Sequence, residues 1–447
     1  MTQTIHRRAF LAGSALLAGC TAATPRLAAG GSGPAEFVRR DGMRLMIGAE
    51  PYRFVGANVW YAAWLGADAS YGDRARLRRE LDTLQAMGVT NLRIMASGEE
   101  GPLNNSIKPG FRDAGSAYNK ALLGGLDFAL AEMAQRGMRG VLALTNFWEW
   151  SGGMMTYLSY VNGGRYLDMN DPAHPWPSFA NMNAQFYASA EAQALYRDWI
   201  RTVVTRTNSV TGVRYAEDPT IMSWQLANEP RPSGDMAHAD LPQFQDWVEG
   251  TARFIKSLDA NHLVSTGSEG LKGSLEQPDI ALATHQPDAI DYLTVHIWPN
   301  NWTWVDQNDL PGTYARGEAQ VAEYITQHVA LARQLDKPMV IEEFGYPRDG
   351  GSNDPAAPTS YKDRFYRQIY AATLQSMDQG GPIVGTNFWA WNGEVRAAHP
   401  DHRFREGDRQ YMGDPPHEPQ GWYGIFTGDS TIRLIADHAA AIRRVPA

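Results

Sequence analysis

The strongest constraint on this chain is a repeat of kind: from about residue 36 onward, short apolar runs alternate with amphipathic helical stripes. A short apolar run between turn residues reads as a strand buried on both faces, and a stripe spaced by three and four reads as a helix. Regular alternation of the two makes parallel strands with helical crossovers. The apolar runs at 54–58, 90–95, 141–144, 221–226, 262–265, 292–295, 339–341 and 383–388 make eight strands. Between them lie the stripes Leu77, Leu81, Leu84, stopped near Gly88; Leu123, Leu126, Leu130, Met133, ending at Gly137; and Leu195, Trp199, Val203. A fourth stripe starts at Asp240 as N-cap with Pro242 in the first turn, and carries Phe244, Trp247, Thr251, Phe254 and Leu258. Val321, Tyr324, Ile325, Leu331 and Leu335 form the next, then Phe365, Ile369 and Ala372, and residues 432–442 close the ring. A doubly wound open sheet alternates in the same way, but the first strand runs into Gly56-Ala57-Asn58-Val59-Trp60 instead of a glycine-rich phosphate turn. The expectation is a (β/α)8 TIM barrel over 36–447, a single domain with long loops, which a chain of 447 residues accommodates.

The segment ahead of the barrel reads as an address. Arg7-Arg8-Ala9-Phe10-Leu11 resembles a twin-arginine signal, and the apolar stretch after it is too short to span a membrane. Leu17-Ala18-Gly19-Cys20 ends it like a lipobox, so residues 1–19 are expected to be a signal peptide. Cys20 would then be the lipid-anchored residue and 20–35 a flexible tether. The implied location is the periplasm, the outer membrane through that anchor, or the medium. Cys20 is the one cysteine, which excludes disulfides, zinc–thiolate sites and a cysteine nucleophile from the mature domain. A net charge of −9 gives nucleic acid no electrostatic reason to bind, and a monomer acting on a neutral substrate is expected.

Barrel enzymes carry their reactive groups at the C-terminal ends of the strands. Here the apolar runs stop at Arg93 on the second strand, Asn228-Glu229-Pro230 on the fourth, His296 on the sixth, Glu343-Phe344-Gly345 on the seventh and Trp389 on the eighth. Two carboxylates from different strands match the needs of glycosidic cleavage, where one carboxyl protonates the departing oxygen and the other attacks C1 or activates water. A lone strand-end glutamate is more often a solvated charge, so the pair and its neighbours carry the argument. Glu342 and Glu343 are adjacent; strand geometry sends them to opposite faces, so at most one points into the barrel mouth, and spacing alone does not choose between them. No zinc-spaced motif accompanies His296, and His399-Pro400-Asp401-His402 reads as a surface loop, so no metal or organic cofactor is expected. Nine of the 14 tryptophans, Trp60, Trp64, Trp148, Trp150, Trp298, Trp302, Trp304, Trp389 and Trp391, fall at or just past strand ends. Two or three of these are expected as core plugs, the rest as an aromatic cleft for a chain of sugars.

These residues resemble glycoside hydrolase family 5, and within it the endo-β-1,4-mannanases of bacteria. The stretch 186–232, the blocks IDYLTVHIWPNNWTW, VIEEFGYP, GTNFWAWNGE and GDPPHEPQGWYGIF carry the likeness, which spans about 36–445. The resemblance implies a retaining double displacement on β-mannan. It makes Glu229 the acid/base and Glu343, the glutamate directly before Phe-Gly, the nucleophile. Asn228 would hold the 2-hydroxyl, Arg93 and His296 would bracket the carboxylates, and Trp389 would underlie the ring at the cleaved bond. Trp60, Trp148 and Trp298 join as substrate-binding support, with Trp298 standing where the family often has tyrosine. The resemblance leaves a β-1,4-glucanase or an exo-acting enzyme as alternatives, with a non-catalytic glycan-binding lipoprotein more remote. The mechanism requires a raised pKa on Glu229 and a carboxyl separation of about 5 to 5.5 Å.

Overall fold

The computed structural model describes residues 36–446 apart from residue 116; the signal and tether expectations, Cys20 among them, lie outside the described residues. Eight strands form one parallel sheet: β1 (Phe54–Asn58), β2 (Asn91–Met95), β3 (Arg139–Ala143), β4 (Ile221–Gln225), β5 (Leu263–Ser265), β6 (Leu293–Ile297), β7 (Met339–Phe344) and β8 (Ile383–Phe388). Their order is β5-β4-β3-β2-β1-β8-β7-β6, and a parallel bridge between Ser265 and Tyr292 joins β5 to β6, closing the sheet on itself. Every residue of the eight strands is buried, as a sheet covered on both faces requires.

The helices that follow the strands are α1 (Arg74–Ala86), α2 (Lys120–Gln135), α3 (Ala190–Val204), α4 (Leu241–Leu258), α5 (Pro278–His285), α6 (Leu310–Leu335), α7 (Ser360–Asp378) and α8 (Thr431–Ile442). Their starts are set by short polar side chains that satisfy the free amides of the first turn. Asp73 accepts from Arg76 N, Asn119 from Leu122 N, Ser189 from Ala192 N, Asp240 from Gln243 N and Asp309 from Gly312 N. The unexpected element among these is α5. Eight residues with Ile280, Ala281, Thr284 and His285 buried make too short a stripe to register as a helical period.

Below the sheet, an antiparallel meander of Val38–Asp41, Arg44–Ile47 and Glu50–Pro51 adds a feature the strand count did not include. Val38 and Leu45 pack with Phe54, Val141, Met222, Leu263, Val340 and Val384 at the strand starts, sealing the N-terminal mouth of the barrel. The opposite mouth is left to the long loops.

Candidate active site

Arg93 on β2 is the hub of that mouth. Its guanidinium donates from Nε to Gln225 Oε1 (2.7 Å), from Nη1 to Asn58 Oδ1 (3.1 Å) and to Glu343 Oε1, and from Nη2 to Asn228 Oδ1 (2.7 Å). A planar fork with several donors is the side chain suited to tie four strands together at one point. Asn228 turns its amide to Asn146 Oδ1 at 3.0 Å, so both of its polar ends are fixed. His296 on β6 lies with Nδ1 2.6 Å from Glu229 Oε1 and 3.3 Å from Glu343 Oε2. Trp148, just past β3, donates its indole N–H to Glu229 Oε2. Arg93 and His296 therefore flank the two carboxylates, the arrangement the resemblance implied.

Glu229 sits just beyond β4 with a left-handed backbone, φ 52°, and its amide donates to Gly267 O at 2.9 Å. That conformation costs a residue with a side chain roughly 1–3 kcal/mol and is held only where the surroundings over-determine it. The doublet on β7 departs from the alternation expected of it. The pairing of β7 with β6 slips between Ile341 and Glu343, so both glutamates reach Arg93 and His296. Glu343 lines the cavity, while Glu342 lies fully buried beneath it, accepting from Gln225 Nε2 at 2.6 Å.

Burial acts first on all three central groups. It would lower His296, but the carboxylates of Glu343, Glu229 and Glu342 outweigh it and hold the imidazole up to about 10. Burial, helped by repulsion from Glu229 and Glu342 against the pull of His296 and Arg93, raises Glu343 to about 8. Burial of Glu229 is overcome by the hydrogen bond and charge of His296, by Arg231 and by Trp148, which bring it down to about 2. His296 lies closer to Glu229 than to Glu343, which draws the Glu229 carboxyl down and leaves burial to act on Glu343. The proton held into the neutral range belongs to the pair, and His296 Nδ1 touches both members. The fixed charge of Arg93 in direct contact with Glu343 favours the ionised form there once the proton moves to Glu229.

Glu229, His296 and Glu343 are also the group among the described residues whose donor atoms, all within 4.8 Å of one another, have the composition of a metal site. A cation there would face the charges of Arg93 and of His296, which already neutralise the two carboxylates. His399 pairs instead with Asp408 at 3.0 Å and His402 with Gln420 O at 2.8 Å, so that loop gathers no ligand set.

The cavity above the pair has a volume of ≈ 630 Å³. Trp148, Trp150, Trp298, Trp302 and Trp389 line it, with Asn228, Glu229 and Glu343 at its floor. Trp389 and Trp298 meet edge to face at 5.9 Å, and the Trp389 indole N–H is buried without a partner among the described residues. Trp60 is corrected to a buttress: it is buried behind Trp150, 5.5 Å away edge-on, and gives its N–H to Gly413 O at 2.9 Å. With Trp64, Trp304 and Trp391, four of the nine strand-end tryptophans are core, against the two or three expected. Sequence reasoning missed Asn58, Gln225, Arg231, Glu269, Trp176, His417 and Glu418. Asn58 and Arg231 stood beside strand ends already singled out; Trp176 lies in an aperiodic loop and offered no such signal.

Comparison with known proteins gives the family. Residues 35–446 match the family described as glycoside hydrolase family 5 β-mannosidase-like. Mannan endo-1,4-β-mannosidase 1 of Oryza sativa subsp. japonica is 30% identical over 435 residues, 93% of this chain and 90% of that protein. The glycoside hydrolase family 5 mannosidase of Rhizomucor miehei is 34% identical with a TM-score of 0.83, over 92% of this chain and 98% of that one. The endo-1,4-β-mannanase of Rhizomucor miehei, 21% identical with a TM-score of 0.65 over 92% and 100% of the two chains, shares the fold. The chain is a glycoside hydrolase, and it belongs to glycoside hydrolase family 5 in its β-mannosidase-like group.

Proposed function

We propose that the protein is a retaining endo-β-1,4-mannanase that hydrolyses mannan, glucomannan or galactomannan by double displacement. The observation that carries the mechanism is the close approach of the carboxylates: oxygens of Glu229 and Glu343, with His296 Nδ1, lie within 4.8 Å of one another. Inverting enzymes hold their carboxyls about 6.5–9.5 Å apart to admit a water, whereas retaining ones attack directly. In this reading Glu343 attacks C1 while Glu229 gives its proton to the leaving oxygen. Glu229 then takes a proton from the water that releases the sugar. Asn228, locked by Arg93 and Asn146, presents its amide toward the 2-hydroxyl, and Trp389 underlies the ring.

Mannan as substrate is supported by the relatives named mannan endo-1,4-β-mannosidase. The test is hydrolysis of locust bean gum, carboxymethylcellulose and mannooligosaccharides by the wild type, Glu229→Ala and Glu343→Ala. The account expects mannan cleavage by the wild type and a loss of about 10³-fold or more in each variant; full activity in either would remove that residue from the mechanism. A second reading, release of short products from chain ends, is favoured by the likeness to the Rhizomucor miehei mannosidase. Mannose or mannobiose as the sole early product would support it, and a ladder of oligosaccharides the endo reading. We further propose export and lipid anchoring at Cys20, on the motifs Arg7-Arg8 and Leu17-Ala18-Gly19-Cys20. Membrane fractionation of the wild type against Cys20→Ser tests it, with release of the variant as the expected outcome.

A further inference from the structure

We infer that Glu342, the member of the β7 doublet buried beneath the cavity, is a positioning residue: its carboxylate keeps His296 protonated on both ring nitrogens and holds the fork of Arg93 in place. The inference rests on Glu229 and Glu343 as the reacting pair. Glu342 is fully buried, yet it faces the supports of both carboxyls. Its Oε2 lies 3.7 Å from His296 Nε2 and 3.6 Å from Arg93 Nε, and accepts from Gln225 Nε2 at 2.6 Å. Gln225 turns its other end to Arg93, accepting from Nε at 2.7 Å. The Glu342 anion settles which way that amide points, because its nitrogen alone can donate to a carboxylate and its oxygen is left for Arg93. Glu342 thereby orients the amide that orients the guanidinium, which in turn meets Asn228 and Glu343.

The imidazole is fixed from two sides. Nδ1 lies between Glu229 Oε1 at 2.6 Å and Glu343 Oε2 at 3.3 Å, so it carries a proton. Nε2 is buried with no hydrogen-bond partner among the described residues and faces Glu342. A bare lone pair there would point at an anionic oxygen through an interior that screens little, whereas an N–H is attracted to it. Burial opposes the imidazolium, and the three carboxylates together outweigh it, bringing His296 up to about 10. The other ionisable groups nearby do not replace Glu342. Glu269, whose carbonyl accepts from the His296 amide at 3.3 Å, is paired with Arg231, and the Tyr292 hydroxyl shares a 2.7 Å hydrogen bond with that of Ser223. During double displacement Glu343 loses its charge on forming the glycosyl ester, and Glu229 gains one on giving its proton to the leaving oxygen. Glu342 forms no bond, so its charge stands opposite Arg93 and His296 through both halves of the reaction.

The experiment compares the wild type with Glu342→Gln, which keeps the shape and removes the charge, and Glu342→Asp, which keeps the charge. NMR of protein labelled with 15N-histidine, the His296 signals assigned by their loss in His296→Gln, reports both ring nitrogens directly. The wild type is expected to show both protonated at about pH 7. In Glu342→Gln the His296 titration is expected about one pH unit or more lower, and in Glu342→Asp close to the wild type. The alkaline limb of kcat/KM on mannotetraose is expected to move down with it: removing a negative charge lets the pair release its proton more readily, so the proton needed on Glu229 is lost at lower pH. The loss is expected in kcat with KM little changed, since Glu342 lies beneath the cavity. A neutral His296 at about pH 7 in the wild type, which needs no variant to detect, overturns the inference, as does an unmoved titration in Glu342→Gln. Activity lost equally at every pH, with the alkaline limb in place, overturns it as well. The NMR result stands apart from the substrate: a wild type inactive on every mannoside overturns the reading of the function, while the His296 titration still decides the role of Glu342.

Discussion

At the scale of single residues, the site is organised around one fixed cation. Arg93 holds Asn58, Gln225, Asn228 and Glu343 at once, so its geometry matters as much as its charge. Arg93→Lys keeps the charge and loses the fork. It is expected to lower kcat/KM about 10²-fold and stability by about 2 kcal/mol, since buried acceptors are left unpaired; thermal melting and kinetics on one preparation check both. Glu229, Asn228 and His296 were singled out because strand ends in a barrel are where reactive groups must stand, and Glu343 over Glu342 only through the family resemblance. Trp60 was misread by the same rule, because the rule places the backbone and not the ring, which here turns under Trp150. Of the Glu342–Glu343 doublet one member lines the mouth, as expected, but the two do not take opposite faces: alternation assumes regular pairing, and β7 slips against β6 between Ile341 and Glu343.

At the scale of elements, the strands and seven of the eight helices stood in the sequence as periodicity, and α5 did not because its buried face spans two turns. Loop elements were beyond reach. The short helix Ala62–Gly66 after β1 packs on α2 through a close pair of glycines, and no periodic signal marks such a contact. A Cβ on Gly125 would stand 2.1 Å from Ala63 O, whereas one on Gly124, the residue just before it in the same helix, meets nothing within 4 Å. Two neighbouring substitutions are therefore expected to differ in sign. Gly124→Ala should stabilise the protein by about 0.8–1 kcal/mol through helix propensity. Gly125→Ala should destabilise it by about 2–3 kcal/mol because the backbone of the short helix must move. Chemical denaturation of the two variants measures the difference.

At the scale of the whole molecule, the loops on the open side of the barrel carry buried carboxyls whose burial outweighs what relieves them, for Glu99 the amide of Gly153 and the charge of Arg112, for Glu149 the amide of Asn170. Burial raises Glu99 and Glu149 each to about 7, and each has one carboxyl oxygen without a partner among the described residues. A carboxyl raised in the folded state favours folding relative to its ionised form only at low pH. Its contribution is fully present below the unfolded value, near 4.5, and is lost as pH rises through about 7. Stability is expected to fall across that window by on the order of 3 kcal/mol per group. Glu149→Gln should flatten the fall in melting temperature, and an unchanged slope would exclude Glu149 as its source. The central claim concerns the pair at the centre of these loops, and the most direct measurement traps the covalent intermediate. Incubation with 2-deoxy-2-fluoro-β-mannosyl fluoride, followed by peptide mass spectrometry, should find one fluoromannosyl group on Glu343. Label on Glu342 or Glu229, or hydrolysis with inversion and no labelled peptide, would contradict the account.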